Sequence, residues 1–104
     1  MKKVYIAGPM TGLENYNRKA FIDKAKDIEK LGYKAVHTAD MPDDLEYMDY
    51  IKTSISRLAK CDYIYLLPNW VQSNGVMKYE LPIANMLGIR VIIGDLEKDL
   101  WNKN

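Results

Sequence analysis

Glu80 is the residue whose setting most suggests chemistry. It interrupts a stretch that is otherwise apolar: Val76, Met77, Leu81, Ile83, Ala84, Met86 and Leu87. A carboxylate there either decorates a helix start or faces a pocket, because burying it unpaired is too costly. Pro82 fits only the first turn of a helix, so a helix starting near Lys78 or Tyr79 would set Glu80 among free N–H groups. Those donors favour the ionised form, which suits a nucleophile rather than a general acid. Two loops supply what such a group needs beside it. Ala7-Gly8-Pro9-Met10-Thr11-Gly12 offers glycines, a hydroxyl and N–H donors to an anion or a sugar hydroxyl. It lacks the lysine of a P-loop and the three glycines of a dinucleotide fingerprint, and a plain Gly-Pro turn would look similar. Pro68-Asn69-Trp70-Val71-Gln72-Ser73-Asn74-Gly75 ends five residues before Glu80. Ser73, Asn74 and Gly75 read either as a cradle for sugar hydroxyls or as a helix-capping turn. Trp70 reads either as a ring stacking on a base or as a core plug.

Other polar residues have blander readings. His37 is a lone histidine at the end of a strand, and Asp62 is a helix-to-strand connector. Cys61 packs as a small apolar group, and Asp43, Asp44 and Glu46 form a solvated run that starts the second helix. Tyr5 lies near enough to the first loop to touch a ligand.

The elements that must position these residues follow from hydrophobic period. Val4–Ala7, Tyr63–Leu67, Val91–Ile93 and a weaker Lys34–His37 are short runs bounded by Gly, Pro or Asp, as buried parallel strands are. Phe21, Ala25, Ile28 and Leu31 mark a first helix, capped by Asn15 or Asn17 and stopped by Gly32. Tyr47, Ile51, Ile55 and Leu58 mark a second, and the stretch from Val76 to Leu87 a third. The tail from Asp95 to Asn104 reads as a final helix turn or an arm. The alternation predicts an α/β fold: a small flavodoxin-like three-layer sandwich with a parallel sheet of four strands in order 2-1-3-4. Ligands of such sheets bind beyond the carboxyl ends of the strands where the order reverses. Here that point selects the same two loops.

Composition narrows the function classes. The 104 residues suit one domain, residues 1–104, and 48% hydrophobic with 28% charged residues is an ordinary globular balance. A net charge of +1, spread evenly, gives no field to attract a nucleic-acid polymer or an anionic membrane. One cysteine and one histidine suggest no disulfide and no metal site, and no apolar run approaches bilayer length, so the expected location is cytoplasmic. Helices two and three, with Tyr50, Met77, Leu81 and Met86, carry more apolar surface than one core buries, which predicts a homodimer or larger assembly.

Val4-Tyr5-Ile6-Ala7-Gly8-Pro9-Met10-Thr11-Gly12, Tyr16-Asn17 and Phe21 resemble the start of the DUF4406 family, small proteins common in phages and prophages. Leu58, Cys61-Asp62, Leu66-Leu67-Pro68, Trp70, Ser73, Gly75, Glu80, Ala84 and Leu87-Gly88 continue the resemblance in the same order. That family is similar to the nucleoside 2-deoxyribosyltransferases and the deoxynucleoside-monophosphate N-glycosidases. The resemblance implies that Glu80 attacks an anomeric carbon, displaces the base and holds the sugar as an ester until water or another base takes it. It implies a nucleoside or nucleotide-like ligand and no cofactor. The candidate ligand contacts are Tyr5, Gly8, Pro9, Met10, Thr11, Gly12, Asn17, Pro68, Trp70, Ser73, Asn74 and Gly75. Three departures bear on catalysis. Ser54 stands where many relatives carry an aspartate that assists the leaving base, with Asp49 about a turn and a half earlier. Asn69 replaces a glycine, and the spacing from Gly75 to Glu80 is one residue longer than in many relatives. The alternative reading is a non-catalytic module that senses or sequesters a nucleotide-derived small molecule. A flavin-binding electron carrier would have no use for the Glu80 carboxylate.

Overall fold

The computed structural model describes residues 1–95. Its four strands are β1 (Lys3–Ala7), β2 (Lys34–Val36), β3 (Tyr63–Leu66) and β4 (Arg90–Ile93). All pairings are parallel and the order is β2-β1-β3-β4, as the alternation of periods predicts. Ile6 pairs with Tyr65 and Ala7 with Leu66, so the two central strands end side by side and release their loops together. The expected tail element falls at 96–104, outside the described residues.

Three helices cover the sheet: α1 (Arg18–Lys30), α2 (Tyr47–Leu58) and α3 (Leu81–Met86). Successive strand residues point to opposite faces, and the core divides accordingly. Val4 and Ile6 pack with Phe21 and Ile28 of α1 on one face. Tyr5 and Ala7 pack with Leu58 of α2 and Val76 and Ala84 of the third helical segment on the other. Among the described residues, no helix is long and apolar enough to cross a membrane.

Three helix starts differ from expectation. Asn17 occupies the position before α1 but makes no side-chain cap; its amide donates to Pro9 O at 3.0 Å. Asp43 and Asp44 do not start α2, which begins at Tyr47. The third helical segment does not begin near Lys78. A π-helical turn, Val76–Glu80, precedes α3, with Ser73 Oγ accepting from Val76 N at 3.2 Å and Ser73 O from Met77 N at 3.0 Å.

The first loop is pressed onto the end of β3. A Cβ at Gly8 would lie 2.8 Å from Leu67 Cβ and 2.9 Å from its Cδ1. Leu67 is itself buried, so neither side can give way easily. Gly8→Ala is therefore expected to destabilise the fold by about 1–3 kcal/mol, measured by urea unfolding. Unchanged stability would show that the loop does not need this close approach.

Candidate functional site

The loops after β1, β2 and β3 surround a cleft of about 600 Å³ at the carboxyl end of the sheet. Of the residues singled out in the sequence, Gly8, Met10, Thr11, Ser73, Asn74, Gly75 and Glu80 line it. Tyr5 lies beneath, fully buried, and its hydroxyl donates to Glu80 Oε2. Pro9 is buried and holds Asn17 through its carbonyl. Gly12, Pro68 and Trp70 are not part of the lining; Trp70 packs against the cluster of Tyr5, Ala7 and Leu66 instead.

Glu80 sits in an unusual backbone. Leu81 N–H reaches back five residues to Val76 O, and Pro82, which follows, has no N–H to give. In a regular α-helix the residue five after Gly75 would turn about 140° away from it. With i→i+5 bonding that residue comes back towards the same face, and Gly75, Lys78, Tyr79 and Glu80 all line the cleft. The widened turn thus keeps Glu80 in the cleft wall five residues after Gly75.

The electrostatics of Glu80 overturn one expectation. The residue is 7% exposed, and burial pushes its pKa up to about 7 against the lowering effect of the Tyr5 hydrogen bond. The segment begins too far upstream for its first N–H groups to hold the anion, and Ser73 already satisfies two of them. Burial, not the helix dipole, sets this group. Tyr5 is driven well above the ordinary tyrosine range by burial and by Glu80, so it remains a hydrogen-bond donor.

Several cleft residues were not singled out by sequence. Tyr50, expected on an outer contact face, turns inward; its hydroxyl lies 2.9 Å from Thr38 Oγ1 and donates to Met10 Sδ at 2.8 Å. Ser54 is buried and donates to Tyr50 O at 3.0 Å, outside the cleft lining. Tyr16, Tyr47 and Tyr79 add aromatic wall, and Lys78 adds a cation. Arg18 ties the rim together: Nε donates to Ala39 O at 2.9 Å, and Nη2 to Met41 O at 3.2 Å and to Asp43. Its guanidinium also lies over the Tyr16 ring, 5.2 Å from the centroid. Arg18 directly follows Asn15-Tyr16-Asn17, all three of which have positive φ, a turn that the sequence does not disclose. His37 is structural, its Nδ1 accepting from Ala39 N at 3.1 Å. Cys61 is buried and pushed up to about 11 by burial, which leaves it inert as a thiol. Among the described residues, no group of three or more His, Cys, Asp or Glu side chains could hold a metal ion.

The chain belongs to the family described as "Domain of unknown function (DUF4406)", whose model matches residues 2–93. No curated protein matches it. Its fold is similar to a 2-deoxyribosyltransferase from Leishmania mexicana, with a TM-score of 0.69 and 16% identity over 89% of this chain. It spans 63% of that protein's length. A 2-deoxyribosyltransferase from Bacillus psychrosaccharolyticus gives a TM-score of 0.66 and 17% identity, covering 88% of this chain and 70% of its own. At these identities the likeness concerns the fold.

The raised Glu80 carboxyl makes a stability prediction. The folded state binds the Glu80 proton more tightly than the unfolded chain, whose carboxyl keeps the ordinary value of 4.5. The Glu80 contribution to stability is therefore fully present below pH 4.5, is lost as pH rises towards 7, and then levels off. The loss is about 3 kcal/mol. Denaturant titrations at several pH values should show this decline in wild type and not in Glu80→Gln. Parallel profiles would mean that Glu80 titrates normally.

Proposed function

We propose that the protein cleaves or transfers the N-glycosidic bond of a nucleoside or nucleotide derivative, with Glu80 as the nucleophile. One observation carries the reading: a carboxyl on the wall of a cleft of about 600 Å³, buried, held by Tyr5 and, among the described residues, in no ion pair. Desolvated carboxyls in clefts mark sites of chemistry more often than structural pairs do. The likeness in fold to two 2-deoxyribosyltransferases supports the assignment of substrate class. The cleft volume suits a nucleoside-sized ligand.

In this mechanism Tyr5 holds Oε2 and leaves Oε1 to attack the anomeric carbon. The bond from that carbon to the base nitrogen breaks, and its electron pair leaves with the base. A glycosyl ester of Glu80 remains until water or a second base displaces it and returns the carboxylate. Ser73, Asn74 and Thr11 face the cleft as partners for sugar hydroxyls, and the tyrosine walls as apolar surface for a base. No step requires a cofactor.

The nucleophile must be ionised to attack. Release of free base from deoxynucleosides and their monophosphates should show kcat/KM rising about tenfold per pH unit below 7 and levelling above it. Glu80→Gln should abolish turnover while ligand affinity changes by about 1–2 kcal/mol. Tyr5→Phe removes the bond that lowers the carboxyl, so its profile should shift to higher pH. Wild type that binds one of these compounds without releasing base would establish the binding-module reading instead. That reading has its own support in Ser54, which supplies no acid to a leaving base.

We also propose a homodimer. Met77, Met86 and Leu87 are 44%, 84% and 55% exposed, more apolar surface than a lone chain this small ordinarily shows on one helical segment. Light scattering should give twice the chain mass, and Met86→Glu should halve it. A monomeric wild type would remove the proposal.

A further inference from the structure

A second groove, of about 380 Å³, runs between β2, which is an edge strand, and the last turn of α2. It shares no lining residue with the first cleft. Lys3, Lys34, Arg57, Lys60 and His37 line it, against a single acid, Asp40. Asp40 is already bound to Arg57 Nη1 at 2.8 Å, and Arg57 also donates to His37 O at 2.8 Å. Asp62, just outside the groove, accepts the Lys3 backbone N–H at 2.9 Å. Among the described residues, Lys3, Lys34 and Lys60 form no ion pair.

The arrangement is internally unfavourable. Lys3 and Lys34 are register partners on adjacent strands, so their side chains leave the same face of the sheet next to each other. Like charges opposite one another destabilise a strand pair. Each cation has an ordinary reason to exist singly: a lysine guards an edge strand, and basic residues suit a helix C-terminus. Neither reason turns all of them into one groove on a chain whose net charge is only +1. Asp40 offsets Arg57 alone, and a local excess of cations of this kind is expected where a ligand supplies the missing charge.

We infer that this groove binds a ligand carrying contiguous phosphoryl groups. Three unpaired ammonium groups and a guanidinium spread along a groove match several linked phosphates better than one. The inference is independent of what Glu80 does.

The test is calorimetric titration of the intact protein with inorganic tripolyphosphate, orthophosphate and adenosine triphosphate at low salt. Tripolyphosphate should bind, and the pair Lys34→Ala with Lys60→Ala should weaken it by about tenfold or more. The exposed lysines Lys30 and Lys52 lie outside both cavities, and the charge-matched pair Lys30→Ala with Lys52→Ala should leave binding within about twofold. Tighter binding of adenosine triphosphate than of tripolyphosphate assigns the groove to nucleotides, and equal binding assigns it to inorganic polyphosphate; both support the inference. Orthophosphate binding as tightly as tripolyphosphate would overturn it, as would equal weakening by the two lysine pairs. A single-stranded oligonucleotide that binds more tightly than either, through the same lysines, would replace the small ligand with a polymer.

Discussion

The hydrogen bond from Tyr5 to Glu80 joins the two parts of the molecule on which the cleft depends. Tyr5 is in the middle of a central strand, buried on the face covered by α2 and the third helical segment. Its hydroxyl reaches past that core to Glu80, which among the described residues forms no ion pair. Two effects compete at the carboxyl. Burial disfavours the anion and the phenol favours it, and burial wins, leaving the group near neutrality in its titration. A carboxyl poised there is a stronger nucleophile when ionised than one stabilised by an arginine. Keeping it buried costs the fold stability at neutral pH.

The fold was legible because its strands are short apolar runs and its helices carry a 3.6-residue period, and parallel crossovers leave few possible strand orders. The same rule put Gly8, Thr11, Ser73 and Gly75 around a cleft. Period could not disclose the π-helical turn, because a five-residue turn inside an apolar stretch looks like any helix in sequence. Pro82 was the available sign. It reads as a helix start, whereas the backbone is already helical from Val76, six residues earlier, and is widened up to Glu80, just before the turn that holds the proline. Tyr50 was misplaced for a related reason: a tyrosine on an amphipathic helix can face a partner or a polar pocket, and only Thr38 and Met10, distant in sequence, decide which.

Strain gathers at the mouth of the cleft. Asn15, Tyr16 and Asn17 hold φ of 48°, 55° and 60°, a left-handed turn built without glycine. Each residue in that region costs about 1–2 kcal/mol, least for asparagine. The cost is offset by local bonds, Asn17 to Pro9 O and Arg18 to Asn15 Oδ1, and by Arg18 reaching the distant 39–43 loop. Asn69, at φ 66°, shows the same economy on the other side. After glycine, asparagine is the residue best able to adopt the left-handed conformation, so it holds this turn without a glycine.

The three positions that the sequence resemblance sets apart have different structural parts here. Asn69 adopts a left-handed backbone, and Glu80 closes a widened π-helical turn. Ser54 is buried, donates to Tyr50 O and carries no acid. The remaining carboxylate in the lining, Asp43, is held by Arg18. Around a departing base the cleft supplies hydroxyls of Thr38, Tyr47 and Tyr50, and burial raises both tyrosines above their ordinary range. Such groups donate hydrogen bonds but give up protons poorly. Under the glycosidic-bond reading, the substrate must bring its own good leaving group, a base that departs as a stabilised anion or already carries its proton.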